Sequence, residues 1–150
     1  QNLGLFTMWD RYANEAKGMA IEYRNLEKVF TGDGSDVLNE VKPINYCKQR
    51  NPPVTTNPSD LLYLFFTKLE EWRHEQELRV VKPLAECTKE STKTGSIFLY
   101  KIPHSHINRV ITGWNVDEEN FKSIKEICQA FSIPIVKAHV DGDKVTTVQQ

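Results

Sequence analysis

The sequence is short of most features that would assign a protein at sight. Cysteine occurs three times in 150 residues, as Cys47, Cys87 and Cys128, an odd number without framework spacing. That argues against a disulfide-stapled secreted scaffold and for reduced thiols in a cytoplasmic protein. Neither sign of charge dominates: 19 Lys and Arg against 20 Asp and Glu leave a formal net charge of -1. No global basic field therefore argues for nucleic acid or an anionic membrane surface as a partner. No apolar run approaches the roughly 18 residues that a membrane span needs. Gly32 and Gly34 lack both the apolar strand before and the Lys-Ser/Thr after that make a phosphate loop. The chain opens Gln1-Asn2-Leu3-Gly4, with no initiator Met and no charged segment leading into an apolar one, so no signal peptide is expected in it. The hydrophobic share, 39%, is modest. It suits a domain with much polar surface or a fragment missing part of its core. The length predicts a single domain.

What is present is organised around Leu61 to Pro83, an apolar helical pattern that runs without Gly or Pro into a short strand. Asp60 favours a helix start there. Leu61, Phe65, Leu69 and Trp72 form one stripe that Leu62 and Phe66 widen, which predicts a central, well-buried helix. The turn into strand is expected near Arg73 to Gln76. From there the period becomes two: Leu78 and Val80 point one way, and Glu77, Arg79 and Val81 the other.

On either side the pattern alternates between short helices and strands. Thr7 caps a helix from Met8 to about Ala16, closed by Gly18, and a strand follows over Met19 to Arg24. Asn25 to Phe30 suits one helical turn, and Thr31 to Asp36 is loop by composition. Val37 to Tyr46 reads as an edge strand or two short pieces, because Pro43 interrupts it. Gln49 to Pro58, with three prolines, is loop. Ala85 to Gly95 is polar and is expected to be a solvated loop. Ile97 to Ile102 and Ile107 to Thr112 read as strands on either side of Pro103. Asp117 caps a second amphipathic helix whose stripe is Phe121, Ile124, Ile127, Cys128 and Phe131. Ile133 to Val140 and Lys144 to Val148 are strands joined at an Asp-Gly turn. The fold class is α+β, with a mixed or mainly antiparallel sheet.

Glu75-Gln76-Glu77 followed by Arg79 is the constellation most able to carry chemistry. Two carboxylates this close repel, raising one pKa, while Arg79 pulls the other way. Such a group can hydrogen-bond a sugar hydroxyl and stabilise an oxocarbenium ion, with Glu77 and Glu75 as the candidate catalytic pair. The same residues equally form a structural Glu–Arg pair that knits helix end to strand. Trp9, Tyr12, Trp72 and Trp114 are candidates for a stacking pocket, with Arg79, around a ligand. Their spacing also suits core faces, and Trp114, beside Gly113, is the one that packing explains least. His104-Ser105-His106 offers two imidazoles without the further ligands of a closed zinc site, so no metal is assigned.

Three stretches taken in order carry a resemblance: Met8-Trp9-Asp10-Arg11-Tyr12-Ala13 with Lys17-Gly18-Met19-Ala20-Ile21-Glu22-Tyr23, then Phe66-Thr67-Lys68 and Trp72 with Glu75-x-Glu77-x-Arg79, then Ile107 to Gly113. Together they resemble a bacterial and phage domain family of unknown function that carries Met-Trp-x-x-Tyr-Ala, Lys-Gly before a strand, and Trp-x-x-Glu-x-Glu-x-Arg. The matching region is the C-terminal part of that family. The family's preceding Tyr/Arg strand and Asn-Asp-Pro motif are not in this sequence, so the resemblance implies a fragment or shortened member. The family layout is loosely similar to ADP-ribosyltransferase folds, where a Glu-x-Glu segment supplies a Glu to the nicotinamide ribose.

Two functional expectations follow. The first is an α+β module that binds a small molecule or a protein, without a complete catalytic set and without a cofactor. The alternative, implied by the resemblance, is an ADP-ribosyltransferase-like enzyme or fragment that uses NAD. There Glu77 would orient the ribose, Glu75 would assist, Arg79 would hold a phosphate or fix Glu77, and an aromatic would stack on nicotinamide.

Overall fold

In a computed structural model of the chain, residues 6–30, 39–50, 57–142 and 144–149 are described. In chain order they form helix α1 (Phe6–Tyr12), strand β1 (Met19–Tyr23), a 3-10 turn at Leu26–Lys28, strands β2 (Lys42–Pro43) and β3 (Asn45–Cys47), helix α2 (Pro58–Phe66) and strand β4 (Thr67–Leu69). A 3-10 segment at Glu70–Glu75 follows, then β5 (Leu78–Arg79), β6 (Thr88–Thr92), β7 (Gly95–Leu99), β8 (Ile107–Thr112), α3 (Glu118–Ala130), β9 (Ile135–Asp141) and β10 (Lys144–Gln149). Helices and strands alternate and the sheets mix parallel with antiparallel pairs, so the fold class is α+β. Among the described residues no helix is long and apolar enough to cross a membrane.

The chain divides into two units, Gln1–Asn25 with Pro103–Gln150, and Leu26–Ile102. The first is built on a four-stranded sheet in the order β1-β8-β9-β10. Its outer pairs, β1 with β8 and β9 with β10, are antiparallel, whereas β8 and β9 run parallel. A parallel pair needs a crossover, and α3 supplies it. Asp117 starts α3 as the sequence predicts, its Oδ1 accepting the Asn120 N–H at 2.8 Å. Ile111, Val136, Ala138 and Val145 from the sheet pack with Trp9, Ala13 and Ala16 into one core.

That core depends on an uncommon turn. The sequence predicts a helix to about Ala16, but α1 stops at Tyr12, and Asn14, Glu15 and Ala16 all take positive φ, at 49°, 56° and 58°. Left-handed backbone costs an L-residue roughly 1–2 kcal/mol, so three in succession need external support. The Ala16 N–H reaches the Trp9 carbonyl at 3.1 Å, the Ala16 carbonyl accepts from Asn115 N–H at 3.1 Å, and the Glu15 carbonyl accepts from Asn115 Nδ2 at 2.9 Å. Gly113 makes the approach possible, because a Cβ there would lie 1.9 Å from the Ala16 carbonyl oxygen.

The second unit is a set of short pairings. Pro43 splits the expected strand into two pieces, and the expected residues Val37 and Leu38 lie outside the described residues, as do the loop Thr31 to Asp36 and most of Gln49 to Pro58. β2 pairs antiparallel with β5, setting Lys42 opposite Arg79 and Pro43 opposite Leu78. β3 pairs parallel with β4, setting Tyr46 opposite Lys68. β6 and β7 form a hairpin, so the stretch expected to be a solvated loop over Ala85 to Gly95 contains a strand.

The expectation of a central buried helix is corrected. α2 ends at Phe66, where Thr67 to Leu69 leave the helix to pair with β3. Leu69 and Trp72 therefore never join the helical stripe. No described side chain of α2 is buried, and Leu64 and Phe65 are each 47% exposed. Long-range pairing of the backbone has overridden a local periodicity that is satisfied equally well by a helix. The α3 stripe also holds only in part: Cys128 is buried, while Ile127 and Phe131 are exposed. Burial lifts the Cys128 thiol above its ordinary pKa.

Two outcomes are expected from this packing. Phe65→Ala should cost only about 1 kcal/mol, since half of its surface already meets solvent. Gly113→Ala should cost on the order of 3 kcal/mol, because the atom it meets is backbone and cannot rotate aside. Equilibrium denaturation of both variants measures the contrast; equal losses would contradict it.

Candidate functional site

The Glu-x-Glu segment lies at a sharp change of direction. Strand β4 carries Lys68 between buried Thr67 and exposed Leu69, so Lys68 emerges opposite its two neighbours. The 3-10 segment Glu70–Glu75 then turns, and Gln76 takes φ 47°, ψ 44°, with its N–H on the Arg73 carbonyl at 3.2 Å. This left-handed residue redirects the chain into Glu77 and β5. Glu77 is held by its backbone at both ends: its N–H donates to the Tyr46 hydroxyl at 2.8 Å, and its carbonyl accepts from Ile44 N–H at 3.0 Å.

The side chains that result form a ladder of alternating charge. The Glu75 carboxylate, only 4% exposed, pairs with Lys68 Nζ. The same ammonium lies 3.0 Å from Glu77 Oε2. Glu77 Oε1 takes Arg79 Nε at 2.7 Å and Nη2 at 2.6 Å. Arg79 Nη1 donates to the carbonyl of Phe65, in the last turn of α2, where helix carbonyls have no partner within the helix. Trp72 completes the group, with Lys68 Nζ 5.2 Å from its ring centroid. Two carboxylates face two cations, so the cluster is formally neutral. Burial alone would pull the Lys68 pKa down, but its hydrogen bonds to Glu75 and Glu77 outweigh that and hold it above the ordinary lysine value.

Beside the ladder lies a groove of about 380 Å³ lined by Lys42, Pro43, Asn45, Leu62, Tyr63, Phe66 and Thr67. Its wall comes from β2, β3, α2 and the start of β4, elements that the ladder ties together through Arg79 and Lys68. None of Glu75, Glu77 and Arg79 lines it.

The structure brings Trp72, Glu75, Glu77 and Arg79 together, all in the second unit. Trp9, Tyr12 and Trp114 belong to the first unit. There Trp9 is a core residue, and Trp114 stacks on Phe6 at 5.4 Å between centroids and meets Trp9 at 5.7 Å. Tyr12 is exposed at the end of α1. His104 and His106 stand in a 3-10 turn, where His104 packs near Phe131 and His106 Nδ1 lies 3.2 Å from the Arg24 carbonyl. Among the described residues no three His, Cys, Asp or Glu side chains gather in a way that would hold a metal ion.

Sequence reasoning names Lys68 only within the resemblance motif, without a role, and gives Tyr46 none. Charge counting points to the first, since two adjacent carboxylates and one Arg leave a negative charge that a partly buried segment must neutralise. Tyr46 has no such signal, because it reaches Glu77 from 31 residues away.

Replacing Lys68 by Met should therefore cost about 3–5 kcal/mol, the usual consequence of leaving a buried carboxylate without its cation. Because the Lys68 pKa is raised on folding, its contribution is complete below the ordinary lysine pKa and disappears as pH rises through the elevated one. Denaturation of wild type and Lys68→Met across the alkaline range should show their stabilities converging as pH rises. A constant gap would contradict this assignment. Comparison of the chain with protein-family models, with curated proteins and with solved structures returns no match.

Proposed function

We propose that the chain is a non-catalytic binding module whose Glu75–Lys68–Glu77–Arg79 ladder is a frame rather than an active centre. The observation that carries this reading is charge neutralisation: both oxygens of Glu77 are engaged by cations, and the Glu75 carboxylate is all but removed from solvent. A carboxylate that must stabilise an oxocarbenium ion works by presenting unspent negative charge to it. Glu77 has committed that charge to Lys68 and Arg79. The groove against α2 is the better place for a ligand. Leu62, Tyr63 and Phe66 offer apolar and aromatic surface, and Lys42 and Asn45 offer polar groups to orient a guest. A small molecule with an aromatic or aliphatic body and one polar end fits that lining.

The alternative is the NAD-using reading that the family resemblance implies, with Glu77 on the ribose. It is favoured by one observation, that Trp72 and the ladder occupy one patch, which gives a candidate stacking surface beside a carboxylate. The two readings differ in what Glu77→Gln does. As a frame residue, Glu77 should cost roughly 1–3 kcal/mol when its charge is removed, because Arg79 and Lys68 each lose an ionic acceptor. Calorimetric titration of wild type with NAD should then give no saturable heat, and amide shifts in a screen of small aromatic acids should cluster at Leu62, Tyr63 and Phe66. Saturable NAD binding that Glu77→Gln abolishes at unchanged stability would replace the frame with a site.

A further inference from the structure

The β6–β7 hairpin carries two strands of opposite character. β6 reads Thr88-Lys89-Glu90-Ser91-Thr92 and β7 reads Gly95-Ser96-Ile97-Phe98-Leu99. Every residue of both strands is exposed, and among the described residues each strand pairs only with the other. Ile97 is 45%, Phe98 42% and Leu99 51% exposed. Side chains alternate along a strand, so Ile97 and Leu99 clothe one face of the ribbon and Phe98 the other. An unbroken apolar run of this kind belongs to a strand with neighbours on both sides and cover on its faces, not to an edge. β6 has the opposite composition, because charged side chains are the usual guard of an edge that must stay free. β7 has no such guard, and every second residue of it turns its N–H and C=O away from β6.

We propose that β7 is the interface of a two-fold dimer of this chain, in which a second copy adds its own β7 antiparallel to the first. The sequence of β7 selects the occupant and the register. A two-fold axis perpendicular to the ribbon keeps each side chain on its own face, so it must set one residue opposite its own copy. With Phe98 on the axis, it meets the partner's Phe98, and Ile97 meets the partner's Leu99, so all three apolar residues of β7 lie opposite apolar residues. With Ile97 on the axis, Phe98 would oppose the partner's Ser96 and Leu99 the partner's Gly95. With Leu99 there, Ile97 and Phe98 would fall opposite residues beyond the end of β7. Only the Phe98 register pairs the whole apolar run with itself. The resulting sheet, β6-β7-β7-β6, ends on both sides in the charged β6 strand, so assembly stops at two copies rather than growing into a fibre.

Light scattering on the size-exclusion peak reads this directly. Concentrated wild type should show about twice the 17.3 kDa mass of one chain. Phe98→Lys and Phe98→Glu, each placing like charges on the axis, should each run at the single-chain mass with unchanged circular dichroism, and should melt like wild type diluted until it too runs as a single chain. An equal mixture of the two variants should recover the doubled mass, because the axis then pairs opposite charges. Wild type at the single-chain mass at every concentration would overturn the proposal. So would a doubled mass in Phe98→Lys, assemblies larger than two, or a mixture of the variants that stays monomeric.

Discussion

A carboxylate almost withdrawn from water is the constraint that sets the second unit. Glu75 has 4% of its side chain exposed, and an ion in that position is tolerated only beside an opposite charge. Lys68 meets that need from β4, which explains why β4 must leave the α2 helix and pair with β3 instead of continuing the helical stripe. Continued as helix, the residues from Phe66 onward would carry Lys68 round the helix axis and away from the turn that holds Glu75. Lys68 also contacts Glu77, and Arg79 balances the negative charge that Glu77 adds. Arg79 also donates from Nη1 to the Phe65 carbonyl in the last turn of α2. One buried charge thus fixes the relative placement of a helix end, two strand pairs and a left-handed turn at Gln76.

The first unit is governed by a contact between backbones. Three consecutive left-handed residues are affordable only because Gly113 and Asn115 close over them, and Gly113 can do so only for want of a Cβ. The outcome is that Trp9 and Ala16 enter the same core as Ile111 and Val136, joining the start of the chain to strands more than a hundred residues later. Two mechanisms of cohesion therefore operate in one chain. The first unit relies on steric fit around an apolar core, and the second on compensated charge with a small buried apolar content.

How far each was legible follows from that difference. β8 and α3 stand almost where periodicity and the Asp117 cap place them, since both are decided by local pattern. The Asp-Gly turn likewise announces the β9–β10 hairpin, with Gly142 at φ 57°. Leu61, Phe65, Leu69 and Trp72 satisfy a helical period and so predict a helix to Trp72, but the chain does not use that period beyond Phe66. The partner that overrides it, Asn45 to Cys47, lies some twenty residues away, and parallel pairing leaves no trace in local composition. β6 leaves no signal for a related reason: a strand exposed on every residue has no apolar alternation. In the candidate site, Glu75, Glu77, Arg79 and Trp72 were legible as neighbours in sequence, whereas Lys68 and Tyr46 reach them through β3–β4 pairing. The grouping of Trp9, Tyr12 and Trp114 with them rested on residue type alone, and type does not report which unit a side chain belongs to.

The same accounting separates a frame from a site. A catalytic carboxylate is useful in proportion to the charge it has left to give, and a structural one in proportion to the charge it has already given. Along the ladder the electrostatic demand is met in sequence, from Glu75 through Lys68 and Glu77 to Arg79, and it ends on a helix carbonyl rather than in a cleft. Neighbouring elements, not a ligand, absorb each charge. The groove differs in kind: its lining of Leu62, Tyr63 and Phe66 is mostly apolar and includes none of the ladder's charged groups. A ligand there would gain by removing Leu62, Tyr63 and Phe66 from water without having to displace an existing ion pair of the ladder, and that asymmetry in cost favours the groove over Glu77 for the proposed ligand.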